Sequence, residues 1–219
     1  MPSIPIAIKK FSTIAAGSAV FIIGLGKVAQ ATTLNFDDLA SPSINSPFPY
    51  LPVPNGYGGL NWDNFSYLDG KIGGIGYEKG TTSSPNVIFN LSGDPAAVTS
   101  SGMFDFISAD LTAAFNAQYI FNTDLKVVVQ GFLGGVQKTS ETVTVYNNAP
   151  TKPYNFNFIG IDSLKFTSQP SGAQAQFVLD DFTFSPSPVP EPSEVLGTLA
   201  FGILGVGYLI KSQSKKAAI

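Results

Sequence analysis

The chain has no cysteine and no histidine among its 219 residues, and its positive charge is all lysine. Without cysteine there is no disulfide and no thiol nucleophile; without histidine there is no imidazole to shuttle protons. Together the two absences exclude Cys/His zinc sites. Charge is also scarce, with 12% charged residues against the same share of aromatic ones. That balance suits a packed sheet protein, not a disordered or nucleic-acid-binding chain. Between Thr32 and Pro188 six lysines face thirteen acidic residues, a net charge of −7. Such a domain repels phosphate backbones, so no nucleic-acid partner is expected, and divalent cations, basic surfaces or neutral polymers fit better. Export without disulfides is feasible, because about 157 residues suffice for one domain with its own core.

What the chain does have is an apolar run at each end. Lys9 and Lys10 precede the run from Phe11 to Gly26, and Ala29-Gln30-Ala31 supplies small residues at a cleavage position. This is the order of a secretory signal peptide, expected over 1–31, with Thr32 the first mature residue. At the other end a Pro/Ser linker with Val189-Pro190-Glu191-Pro192 spans 185–194, an apolar stretch 195–210, and a basic tail 211–219. Sixteen residues at helical rise cover about 24 Å against a hydrocarbon core of about 30 Å, which suits a temporary transmembrane helix. The lysines after it stay cytoplasmic by the positive-inside rule and leave the central domain outside.

These tail residues resemble the PEP-CTERM sorting signal of Gram-negative bacteria: the Pro190-Glu191-Pro192 triplet, the Gly-rich apolar segment and the short basic end. The resemblance covers about the last 30 residues. It implies an exosortase-type partner that acts near Val189 to Pro192, transient membrane anchoring, and release to the cell surface or an exopolysaccharide-rich matrix. Lysine stands where the common pattern uses arginine.

The middle, 32–184, shows period-two alternation. Leu125, Val127 and Val129 share a face, as do Val143 and Val145, then Tyr154, Phe156 and Phe158, then Leu164 and Phe166. Turn residues punctuate it at Gly93-Asp94-Pro95, Gly134-Gly135, Asn147 to Pro150, and Gln169 to Gly172. The expected class is all-β: seven to nine strands in an antiparallel β-sandwich of jelly-roll type, with a closed barrel as the alternative. Five prolines between Ala40 and Tyr57 predict a long surface loop, and the segment from Asp110 to Gln118 reads either as helix or as strand and loop.

Two clusters are candidates for binding. Leu34-Asn35-Phe36-Asp37-Asp38-Leu39 near the domain's start is mirrored by Phe177-Val178-Leu179-Asp180-Asp181-Phe182 at its finish. If these terminal strands pair, Asp37, Asp38, Asp180 and Asp181 can converge on a structural calcium ion; otherwise they cap turns in solvent. The run from Asn55 to Tyr67 places Gly beside aromatic and polar residues, and Tyr50, Tyr57, Trp62 and Asp63 are the candidates to stack on and hydrogen-bond a sugar. A core role for Trp62 is the competing reading. The strand pattern with its Leu-Asp-Asp-Phe end resembles galactose-binding-type jelly rolls, which implies a lectin-like or adhesive module, sometimes carrying calcium. No sugar-binding residue carries over.

An enzyme is not expected. A hydrolase without histidine needs two carboxylates, and Asp105, Asp110, Glu141 and Asp162 form no pair by spacing. The expected function is a non-catalytic surface or matrix protein that binds extracellular polysaccharide. A secreted carboxylate-dependent glycan hydrolase and a purely structural adhesin are the alternatives. The first needs two carboxylates in a cleft; the second has neither cleft nor aromatic platform.

Overall fold

The computed structural model describes residues 30–43, 49–149 and 151–187. The run read as a signal peptide, the Val189 to Pro192 motif, the apolar stretch and the basic tail lie outside the described residues. Among the described residues no helix is long and apolar enough to cross a membrane.

Ten strands form the domain: β1 Thr32–Leu34, β2 Leu51–Pro52, β3 Asn61–Asp63, β4 Phe65–Asp69, β5 Asn86–Asn90, β6 Ala96–Ala113, β7 Leu125–Leu133, β8 Val136–Val145, β9 Pro153–Gln169 and β10 Phe177–Pro186. Two short helices interrupt them, α1 Ile75–Gly80 and α2 Ala117–Phe121. All pairings are antiparallel, in the order β2-β4-β5-β10-β6-β9-β7-β8, with β1 added to β10 and β3 to β6.

The all-β expectation therefore holds, while the two separate sheets of a simple sandwich become one hydrogen-bonded network that bends. The first part of β6 pairs with β3 and with residues 163–166 of β9, which continue into β7 and β8. The second part pairs with β10 and with residues 153–161 of β9, on the side of β5 and β4. Between the halves, β6 and β9 shift register after Thr99, Phe104 and Phe106. Bulges kink strands and raise their twist, so β6 and β9 each serve both layers. The alternation at Tyr154 to Phe158 and at Leu164 to Phe166 thus belongs to a single bent strand. Gly160, at φ 64, sits at the bend, and its N–H donates to Asp105 Oδ1 at 2.8 Å.

Period-two burial is clean in β7, where Leu125, Val127 and Val129 point inward. Gly134 and Gly135, both at positive φ, close the β7-β8 hairpin with the geometry that primed turns require. The segment from Asp110 to Gln118 divides: strand to Ala113, then the start of α2, whose cap is Asn116 accepting from Tyr119 N. Among its described residues the proline-rich segment contributes the two residues of β2 to the sheet. Strand β10 runs through Pro186, two residues into the expected linker, and Ser187 N donates to Met103 O.

The core between the layers is phenylalanine-rich. Phe106 lies at its centre, stacked on Phe156 at 4.9 Å and on Phe182 at 4.8 Å, and edge-on to Phe158 and Phe166. A second, smaller cluster of Leu68, Val87, Phe89 and Val178 packs on the opposite face of β4, β5 and β10, under Tyr77 of α1. That helix sits against backbone because it is seated on glycine. A Cβ at Gly76 would collide with the carbonyl oxygens of Ala113 and Ala114, and one at Gly80 with Thr112 and Val178. Phe106→Ala should cost about 3–5 kcal/mol in urea unfolding. A loss under 1 kcal/mol would show that the two layers do not share this ring.

Candidate functional site

The mirrored ends do come together: β1 pairs with β10 in the register Leu34 with Phe182. Three of their four aspartates have separate hydrogen-bond partners. Asp37 accepts from Asn86 N at 3.0 Å, while the Asn86 amide ties down Phe36 O and Leu39 O. Asp38 is exposed and accepts from Tyr57 OH at 2.6 Å. Asp180 is fully buried and accepts from the N–H groups of Thr82, Ser83 and Asp181. Asp181, left-handed at φ 47, is half-buried. Among the described residues no three His, Cys, Asp or Glu side chains are grouped to hold a metal ion. Three of the four carboxylates expected at a calcium site thus accept from separate backbone and phenol donors.

What Asp180 does is anchor the loop 81–85 to the outer face of β10, beside Asp110, which accepts from Thr82 Oγ1 at 2.6 Å. Burial pushes its carboxyl up to about 7 from an ordinary 3.8, against the pull of the N–H donors and with a push from Asp181. Asp181 is raised too, by burial first and then by Asp110 and Asp37. A carboxyl raised by folding favours the fold in its neutral form. Its contribution is complete below about pH 3.8 and is lost as pH rises through about 7. Asp180→Asn keeps an acceptor and removes the titration. It should flatten the decline of the denaturation midpoint between pH 4 and pH 7; an unchanged decline would sink this account.

The proposed sugar-stacking set also separates. Trp62 is core: it is 5% exposed, meets Phe36, Phe65 and Phe182 edge-on, and donates Nε1–H to Tyr57 O. Its ligand-binding assignment is therefore corrected, because alternation along β3 turns this residue inward between exposed Asn61 and Asp63. Tyr57 is half-buried, with one face on Phe36 at 5.4 Å. Burial, and then the bond to Asp38, push its phenol up. Asp63 is exposed and distant from the others in role, pairing across to Ala97 on the backbone. Asn55 Oδ1 accepts from Trp62 N, and Asn64 Nδ2 holds the carbonyls of Leu91, Asp94 and Pro95, so this run builds turns.

Tyr50 lines a cavity. It stands edge-on to Phe89 at 5.8 Å, at the side of a depression of about 300 Å³ on the outer face of β4 and β5. Tyr77 and Phe115 complete the aromatic wall, Tyr77 meeting Phe89 and Phe115 edge-on. At the bottom Gln176, nine-tenths buried, accepts from Tyr77 OH at 2.6 Å, and burial pushes that phenol up. The Gln176 Nε2 amide has no acceptor among the described residues, and exposed Ser92 lies at the rim. Apolar rings around a few fixed polar groups are the usual composition of a small-molecule site. No carboxylate lines it.

Sequence reasoning missed Tyr77, Phe89, Phe115 and Gln176. A signal for one of them was present: Val87-Ile88-Phe89 is a continuous apolar run, as in a strand covered on both faces.

Fold and cavity together define an all-β antiparallel domain with one aromatic-lined depression outside its core. No family model and no curated protein matches the chain. Among solved structures, a DUF4465 family protein from Bacteroides caccae superposes with a TM-score of 0.52 at 12% identity, over 72% of this chain and 100% of that one. At that identity the likeness is one of fold. TmCBM61 in complex with β-1,4-galactotriose matches at a TM-score of 0.37 and 12% identity, over 63% of this chain and 97% of its own. The CBM22-1–CBM22-2 tandem of Paenibacillus barcinonensis Xyn10C matches at 0.38 and 12%, over 77% and 48%.

Proposed function

We propose that the domain is a non-catalytic module that binds an uncharged extracellular polysaccharide through the cavity of Tyr50, Tyr77, Phe89 and Phe115. The observation that carries this reading is the cavity itself. Its size is at the lower end of ligand sites, its walls are aromatic, and its buried Gln176 amide has no acceptor among the described residues. Sugar rings offer CH faces to aromatic surfaces and hydroxyls to amides. The net charge of −7 between Thr32 and Pro188 favours neutral over anionic chains.

The tail motif and the leader add the delivery. In this reading 1–31 is removed on export, the apolar stretch 195–210 anchors the chain, and an exosortase-type enzyme acts at Val189 to Pro192. The charge order of both ends supports this topology.

Two measurements follow. On a panel of neutral and acidic glycans, the domain should retain neutral polymers, and Tyr50→Ala or Phe115→Ala should weaken binding at least tenfold, about 1.4 kcal/mol. Retention equal in wild type and both variants would move the site elsewhere, and no retention at all would favour a purely structural adhesin. For sorting, intact mass of the product from cells expressing the full chain should give Thr32 at the start and an end near Pro190. Glu191→Ala should prevent that trimming. A product that keeps Lys211 to Ile219 in both forms would leave an ordinary membrane anchor.

A further inference from the structure

Among the described residues lining the aromatic cavity Gln176 is the one carboxamide, and its two ends are not equivalent. Tyr77 donates its hydroxyl to Gln176 Oε1 at 2.6 Å, a length that suits O–H···O better than N–H···O and so fixes which end of the carboxamide meets the phenol. Burial raises the Tyr77 phenol, which keeps it protonated and donating. The backbone at Gln176 is held as well, because Ala114 N donates to Gln176 O and Phe177 N to Asn90 Oδ1 at 2.7 Å. What the side chain retains for a ligand is Nε2, a donor.

No described residue of the lining carries a carboxylate or a second carboxamide, the acceptors that best take the protons of sugar hydroxyls. A hydroxyl placed against Nε2 would accept from it and find no such acceptor for its own proton. A carbonyl oxygen has nothing to donate and matches this donor as it stands. The walls describe the rest of the ligand. Phe115 meets Tyr77 at 88°, Tyr77 meets Phe89 at 88°, and Phe89 meets Tyr50 at 87°, so the rings form corners and not one flat platform. Tyr77 and Phe89 are 5% and 2% exposed, while Tyr50 and Phe115 are half-buried. The two half-buried rings at the sides offer faces to a sugar ring, and the apolar base, with Leu68 beside the buried rings, suits a small alkyl group such as a methyl. At the rim exposed Ser92, left-handed at φ 58, adds a hydroxyl that both donates and accepts.

We infer that the aromatic cavity selects an acetylated sugar: the acetyl methyl enters the apolar base, its carbonyl oxygen accepts from Gln176 Nε2, and Tyr77 is the positioning residue that holds this amide with its donor free. This rests on the polysaccharide reading above and adds to it the substituent that is recognised. An N-acetyl amide and an O-acetyl ester present the same methyl and carbonyl. Both are uncharged, in keeping with the net charge of −7 between Thr32 and Pro188.

Matched pairs of ligands read the acetyl group alone. Chito- and cello-oligosaccharides share a β-1,4-linked glucose frame and differ by acetamido against hydroxyl; an O-acetylated xylo-oligosaccharide is paired with itself after mild alkali. In calorimetry at least one acetylated partner should bind about tenfold tighter than its plain partner. A preference in the first pair alone assigns the amide, and in the second alone the ester. Gln176→Met keeps the side chain's length, removes the donor, and should bring the ratio of the two affinities close to one. Tyr77→Phe keeps the ring, frees the carboxamide to turn, and should lower the ratio severalfold. Merely structural damage would weaken both partners together and leave the ratio as in wild type. That result in Gln176→Met overturns the inference, and in Tyr77→Phe it overturns the positioning role. Should Gln176→Met lose its thermal transition, Tyr77→Phe carries the comparison, and an unchanged ratio there overturns the whole. Equal binding of both partners by wild-type protein overturns the acetyl preference and leaves the polysaccharide reading in place. Wild-type protein that retains no glycan, plain or acetylated, overturns the two together.

Discussion

The bends in β6 and β9 are the constraint on which the rest of the domain depends. Each strand pairs in both layers, so the sheet never divides into two independently folded halves. The core between the layers is then enclosed by backbone on two sides and filled mainly by phenylalanine. Large rings suit such a space, because edge-to-face and offset contacts fill a twisted gap without leaving polar atoms unpaired. Phe106, on the second half of β6, meets Phe182 of β10 and Phe156 of β9, which ties three long strands at one point.

The bends also leave an outer face on β4, β5 and β10 that needs its own cover. That cover comes from α1 and the loop after it. Two chemistries divide the face: an apolar patch under Tyr77, and a polar patch where Asp180 and Asp110 hold Thr82 and Ser83. A six-residue helix covers only part of the surface available to it. Among the described residues the aromatic cavity is the remainder of that face, bounded by Tyr50 on one side and Phe115 on another. The cavity proposed for binding is thus a consequence of incomplete cover over a second hydrophobic layer.

The paired aspartates illustrate how a motif changes meaning with context. In β10 the alternation breaks at Asp181, left-handed at φ 47, so that Leu179 and Phe182 both enter the main core. Asp180 turns to the outer face and becomes a buried anchor, while Asp181 takes a left-handed conformation at the register shift after it. Near the other end Asp37 and Asp38 sit in the turn after β1 and accept from different segments. The residues that read as a possible cation site pin three segments together through their hydrogen bonds.

The sequence by itself determined the excluded chemistry and the all-β class, and it raised the meeting of the domain's two ends, which the β1–β10 pairing then decided. Absence of a residue type needs no fold, alternation reports directly on half-buried strands, and the mirrored Leu34 to Leu39 and Phe177 to Phe182 segments carry matching patterns. Only the tertiary structure decided which aspartate faces which donor, that Trp62 points inward, and where the cavity lies. Tyr50, Tyr77, Phe89, Phe115 and Gln176 come from five separate segments, and nothing in local spacing reports that they share a face. That depends on which side of β5 is covered by α1, a question of packing between segments far apart in the chain.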